Sequence, residues 1–114
     1  MKSSKISEKA RLQHIAEAIE HLELFVEGVS QEEYFADIKL QAAVERKLEI
    51  IGEAANHLSY QLEKYPDIEW EKLKAFRNFI VHEYFGVSQK IIWDSVQYRI
   101  PQLKKVVLQL LCEL

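Results

Sequence analysis

Leu12-Gln13-His14-Ile15-Ala16-Glu17-Ala18-Ile19-Glu20-His21-Leu22-Glu23-Leu24-Phe25-Val26-Glu27-Gly28 decides the fold class. Leu12, Ile15, Ala16, Ile19, Leu22 and Val26 recur at three- and four-residue steps, so a helix gathers them on one face and leaves the glutamates on the other. Ser7 is placed to cap this helix, predicted over 8–27, and Gly28 to end it. Downstream, Ser30 with Glu33 makes a capping box opening a short helical turn at 31–36. Asp37 can cap a second long helix over 38–59, with Val44, Leu48, Ile51, Ala55 and Leu58 as its stripe. Gly52 lies inside that helix, where glycine costs about 1 kcal/mol relative to alanine, which points to close passage of another backbone.

Pro66-Asp67 interrupts the pattern before a third long helix over 69–84, closed near Gly86. Ser88 then caps a last helix over 89–113, whose stripe is Ile92, Val96, Ile100, Leu103, Val107 and Leu110. Pro101 falls inside it and should kink or split it. No internal repeat and no low-complexity segment is expected. The chain is read as one domain over residues 1–114, with 1–6 a loose tail.

Composition agrees. Only 3 glycines and 2 prolines occur in 114 residues, about a third of the roughly 12% usual in proteins. A sandwich or barrel needs more turn residues than that. The expected architecture is all-α: an antiparallel up-and-down four-helix bundle with a short extra helix. The net charge of −3 excludes a global basic field for nucleic acid, so any phosphate contact must be local. One cysteine, Cys112, excludes an internal disulfide and a cysteine-rich zinc site, and reads as a small buried apolar residue. The start leads into no apolar signal region, and no uncharged apolar stretch approaches the ~18 residues of a membrane span, so a cytoplasmic location without membrane contact is expected.

Chemistry concentrates in Phe76-Arg77-Asn78-Phe79-Ile80-Val81-His82-Glu83-Tyr84-Phe85-Gly86. On a helix Arg77 and Tyr84 stack seven apart and Asn78 and His82 four apart, the four spanning about 160° of arc. Leu73, Phe76 and Ile80 take the other side. A guanidinium binds phosphate bidentately and an imidazole moves protons near neutral pH. Together they could cleave RNA without a metal, by attack of the ribose 2′-OH on the adjacent phosphate. One histidine cannot be base and acid at once, but a two-fold dimer would supply two His82 and two Arg77. On spacing alone, the simpler account is an amphipathic helix with a solvated polar face.

Arg77, four residues, His82, one residue, Tyr84 resembles the signature of the HEPN superfamily, and more narrowly of its HepT-like toxin branch. The resemblance extends over nearly the whole chain, through Leu48–Ala55, Tyr65–Trp70, Tyr84–Val87 and Ile92-Trp93. It implies a HEPN-like bundle forming a homodimer, with the two motifs facing each other. It implies a metal-independent ribonuclease without a cofactor, the toxin of a toxin–antitoxin pair, whose antitoxin is a minimal nucleotidyltransferase that transfers AMP to the motif tyrosine. On that resemblance Arg77 binds and polarises the phosphate, His82 handles protons, Asn78 orients the site, and Tyr84 accepts AMP. The chain departs from many relatives at Glu83, where a small or polar neutral residue is common, and at Ser88, where Asp is common; Ser88 can replace Asp as a helix cap but not as a catalytic carboxylate.

A second reading is a non-catalytic helical module that binds a minimal nucleotidyltransferase, or its nucleotide, through Arg77; a third is a bare structural dimer. Elsewhere, His14, Glu17 and His21 share a face that reads as solvated surface rather than a metal site. His57 reads as a favourable charge at a helix end. Glu49 and Glu53 read as salt-bridge partners, to Arg46 or Arg77, rather than an acid–base pair. Trp70 and Trp93 read as core or interface anchors.

Overall fold

The computed structural model describes residues 7–58 and 88–114. These are helical, without a strand among them: α1 (Glu8–Val26), α2 (Gln31–Phe35), α3 (Ile38–Asn56), α4 (Gln89–Asp94), a π-helical turn (Ser95–Arg99) and α5 (Ile100–Glu113). The expected all-α bundle with a short extra helix is the architecture found. The third long helix expected over 69–84, with Trp70, and the tail 1–6 lie outside the described residues.

Each predicted cap is present. The hydroxyl of Ser7 accepts from the Ala10 amide at 3.0 Å. The Ser30 hydroxyl accepts from the Glu33 amide at 3.1 Å while the Glu33 carboxylate accepts from the Ser30 amide at 2.9 Å. Asp37 accepts from the Leu40 amide at 3.0 Å, and Ser88 from the Ile91 amide at 3.3 Å. These bonds occupy amides that the first helical turn leaves without partners. Gly28 ends α1 with φ of 73°, a left-handed conformation that costs other residues a steric clash.

The core is one cluster built from the predicted stripes. Leu12, Ile15, Ile19 and Leu22 of α1 are fully buried, as are Val44, Leu48, Ile51 and Ala55 of α3. The last helix contributes Ile92, Val96, Ile100, Leu103, Val107 and Leu110, all buried. Ala18 joins the core, whereas Ala16 and Val26 lie at its margin. Gly52 is buried in α3. α1 packs on α3 and α5, and α2 on α3 and α4. Trp93 takes the core role expected of it, its ring 5.1 Å from that of Tyr34. Cys112 does not: it is exposed, because it falls off the Leu103–Val107–Leu110 stripe in the last turn of α5.

Pro101 divides the last helix without interrupting it. The chain widens into a π turn just before the proline, and the Ile100 amide reaches back five residues to the Ser95 carbonyl. A proline ring presses on the carbonyl four residues earlier and offers no amide proton; a wider turn relieves the clash. Ser95 is buried there, and its hydroxyl donates to the Ile91 carbonyl at 2.9 Å, so no polar group is stranded.

Leu48→Ala should lower the unfolding free energy by about 2–5 kcal/mol, since it empties a fully buried position in α3. Ser30→Ala should cost about 1 kcal/mol through the lost cap. Urea denaturation of each variant checks the two values and their order.

Candidate functional site

The motif residues Arg77, Asn78, His82 and Tyr84, with Glu83, lie outside the described residues. Two features stand out among the described residues: a hydrogen-bonded anchor at the start of α4 and a groove between α1 and α3.

The anchor starts at Ser88, which caps α4. A serine hydroxyl suffices for that role, so the departure from aspartate costs the helix start nothing. The next residue, Gln89, is held from both sides. Its carbonyl oxygen accepts from the Tyr34 hydroxyl at 2.6 Å, and its amide nitrogen donates to the Glu45 carboxylate at 2.6 Å. Tyr34 is fully buried. Its loss of solvent, and secondarily the Glu45 charge, push its phenol well above the ordinary tyrosine range. It therefore stays protonated and donates. This chain of hydrogen bonds ties α2, α3 and α4 together five residues beyond Tyr84. Sequence reading missed it, because three polar residues 55 and 44 positions apart carry no local signal.

The groove has a volume of about 470 Å³. From α1 it is lined by Arg11, His14, Glu17, Ala18 and His21, and from α3 by Lys47, Ile50, Glu53, Ala54 and His57. Three of the chain's 4 histidines thus share one surface. His14 and Glu17 are exposed, as the solvated reading expects, and His21 is half-buried with its ring stacked toward Phe25. Among the described residues no three histidine, cysteine, aspartate or glutamate side chains converge to hold a metal. His57 caps the end of α3. Glu49 takes the salt-bridge role, 3.3 Å from Arg46, a surface pair worth about 0–1 kcal/mol.

The lining exposes a pattern in the sequence that corrects the expectation of no repeat. Residues 11–22 and 47–58 align with a constant offset, and Leu12/Leu48, Ile15/Ile51, Glu17/Glu53, Ala18/Ala54, His21/His57 and Leu22/Leu58 are identical pairs. Arg11 and Lys47 match in charge. Leu12, Ile15 and Leu22 and their counterparts Leu48, Ile51 and Leu58 are buried, whereas Arg11 and Lys47, Glu17 and Glu53, Ala18 and Ala54, and His21 and His57 line the groove.

A family model described as "Ribonuclease HepT-like" matches residues 15–110. The chain belongs to the HepT-like ribonuclease family. It is 41% identical to a probable ribonuclease HepT of Thermococcus cleftensis, over 88% of this chain and 92% of that protein. It is 40% identical to a putative RNase of Caldanaerobacter subterraneus subsp. tengcongensis, over 88% of this chain and 90% of the relative. A gamma-glutamylcyclotransferase and putative RNase of Methanocaldococcus jannaschii is 37% identical over 93% of this chain but only 48% of its own length. No solved structure gives a significant match. Among the described residues no helix of this HepT-like chain is long and apolar enough to cross a membrane.

The Tyr34 anchor has an alkaline signature. Burial raises its folded-state pKa above the unfolded value of about 10, so the neutral phenol supports folding fully below about pH 10 and that support is lost as pH rises toward the folded pKa. Denaturation measured up the alkaline range should show this loss in the wild type and a shallower one in Tyr34→Phe. At neutral pH Tyr34→Phe should cost about 1–3 kcal/mol, because Gln89 loses its donor.

Proposed function

We propose that this chain is a metal-independent endoribonuclease acting in the cytoplasm as the toxin of a toxin–antitoxin pair, its residues 1–114 forming one HEPN-like domain. The observation that carries this reading is the Arg77-Asn78, His82, Tyr84 pattern within a chain of the HepT-like ribonuclease family.

The reaction needs two proton transfers at one phosphodiester. A base takes the proton of the ribose 2′-OH, the 2′-oxygen attacks phosphorus, the bond to the 5′-oxygen of the next nucleotide breaks, and an acid protonates that oxygen. The product is a 2′,3′-cyclic phosphate and a free 5′-OH. In a two-fold homodimer one His82 is the base and the partner's His82 the acid. Arg77 pairs with the non-bridging oxygens and balances the charge that builds on them, and Asn78 orients the site. Tyr84, seven residues and so about two helical turns beyond Arg77, accepts AMP from a minimal nucleotidyltransferase. The phenol oxygen attacks the α-phosphorus of ATP and pyrophosphate leaves. The added phosphate then competes with RNA for Arg77.

The purified chain should run as a particle of twice its 13.4 kDa mass by light scattering and cleave RNA in excess chelator, with a bell-shaped pH profile. His82→Ala should lower kcat by about 10²–10⁴-fold and Arg77→Ala by about 10²–10³-fold, with fold and dimer intact. If the wild-type dimer cuts no RNA, or His82→Ala cuts as well as wild type, the chain is instead a binding module for the transferase. Intact mass after incubation with ATP, magnesium and the transferase should rise by AMP units, and Tyr84→Phe should abolish the gain.

A further inference from the structure

We propose that Tyr34, Glu45 and Gln89 are positioning residues: acting through the few peptide links that follow Tyr84, they set where Tyr84 and His82 stand relative to α2 and α3. The consequence for catalysis rests on the ribonuclease reading above. The positioning itself rests on the geometry of the anchor.

The anchor holds the first residue of α4 in one orientation. Buried Tyr34 on α2 donates to the Gln89 carbonyl oxygen at 2.6 Å, and the Gln89 amide nitrogen donates to Glu45 on α3 at 2.6 Å. A carboxylate only accepts, and the phenol is left to donate, so the Gln89 amide cannot exchange its two ends. Trp93, four residues later on the same face of α4, lies with its ring 5.1 Å from that of Tyr34. One tyrosine thus meets α4 at two successive turns and fixes its rotation. A polar chain costs stability where apolar packing would serve; what it adds is direction.

Covalent geometry carries that fixity toward the motif. Four peptide links join Tyr84 to Ser88, a reach of at most about 14 Å, and six join His82 to it, at most about 22 Å. Eleven links separate Arg77 from Ser88, a reach of about 40 Å, close to the 44 Å longest extent of the molecule. The tether therefore restricts Tyr84 most, His82 next and Arg77 hardly at all. A reacting group about 1 Å out of place costs up to about 10²-fold in rate. Loosening the anchor should lower kcat and the rate of AMP transfer to Tyr84, and leave RNA binding through Arg77 nearly unchanged.

The test is a set of substitutions in the full chain. Gln89→Leu removes both hydrogen bonds and keeps the Ser88 cap. Gln89→Glu sets a second carboxylate against Glu45. Adding Glu45→Gln to it restores both bonds, since a carboxylate at position 89 accepts from the Tyr34 hydroxyl and from an amide at position 45. Ser7→Ala, which removes the cap of α1, controls for lost stability alone. Circular dichroism melts check that each variant folds, and kinetics are measured well below its melting temperature. Binding is read on RNA methylated at every 2′-OH, which cannot be cut. Gln89→Leu and Gln89→Glu should each lower kcat by about 10-fold or more, with RNA affinity within about twofold of wild type. The swapped pair should recover kcat, and Ser7→Ala should leave it unchanged.

Position is also read without catalysis. Spin labels at Tyr84→Cys and at Lys39→Cys, an exposed site on α3, in a chain carrying Cys112→Ser, give a distance distribution by pulsed electron resonance. Gln89→Leu should shift or broaden it, and the swapped pair should restore it. An unchanged kcat in Gln89→Leu, a fall no greater than that of Ser7→Ala, or an unchanged label distribution would overturn the proposal and leave the anchor a stabilising contact only. So would a loss of RNA affinity as large as the loss of kcat. A wild type that cuts no RNA, with a label distribution that still answers to Gln89, would refute the ribonuclease reading and leave the positioning role standing.

Discussion

The apolar seam between α1 and α3 is the contact on which the rest of the described structure depends. Leu12, Ile15, Ile19 and Leu22 meet a core that holds Val44, Leu48, Ile51 and Ala55, all without solvent exposure. Each large side chain removed from water contributes about 1.5–3 kcal/mol. Most helical stability in proteins comes from packing of an amphipathic face, so the seam stabilises each 19-residue helix as much as it joins the pair. It also sets rotation about each helix axis. Because residues 11–22 and 47–58 share one pattern, turning the same leucines and isoleucines inward turns the same glutamate, alanine, histidine and basic positions onto a common surface. The groove is thus a geometric consequence of the core.

A second constraint acts where the last helix begins. Tyr34, Gln89 and Glu45 form a partly buried polar chain beside the rings of Trp93 and Phe35. Such a chain is costly if one member is removed and directional when complete. It places the start of α4 against α2 and α3, immediately after the stretch that carries the motif. The π turn before Pro101 acts in the same helix: it absorbs a residue that an α-helix cannot accommodate and lets α4 and α5 contribute one continuous stripe to the core.

Much of this was legible from residue order alone, for a physical reason. Caps depend on hydroxyls and carboxylates three residues from the amide they accept from, and helix stripes on a period of 3.6; both are local rules. Hence Ser7, Ser30, Asp37 and Ser88 were found at the helix starts, and the buried sets of α1, α3 and the last helix matched the stripes nearly residue for residue. The family was legible as well, because the motif and its flanking segments occur in order along the chain. Cys112 was misjudged since its type is usually buried while its position in the last turn lies off the stripe.

Sequence by itself therefore determined the helical class, the helix starts, the core faces and membership of the HepT-like ribonucleases. Only tertiary structure decided that Tyr34 would be satisfied by Gln89 and Glu45, that Pro101 would be accommodated by a wider turn rather than a break, and that three histidines would share one groove. Local rules operate over three to five residues, whereas these outcomes join side chains tens of residues apart. Their partners become neighbours only after the apolar faces have packed, and the packing is what chooses them.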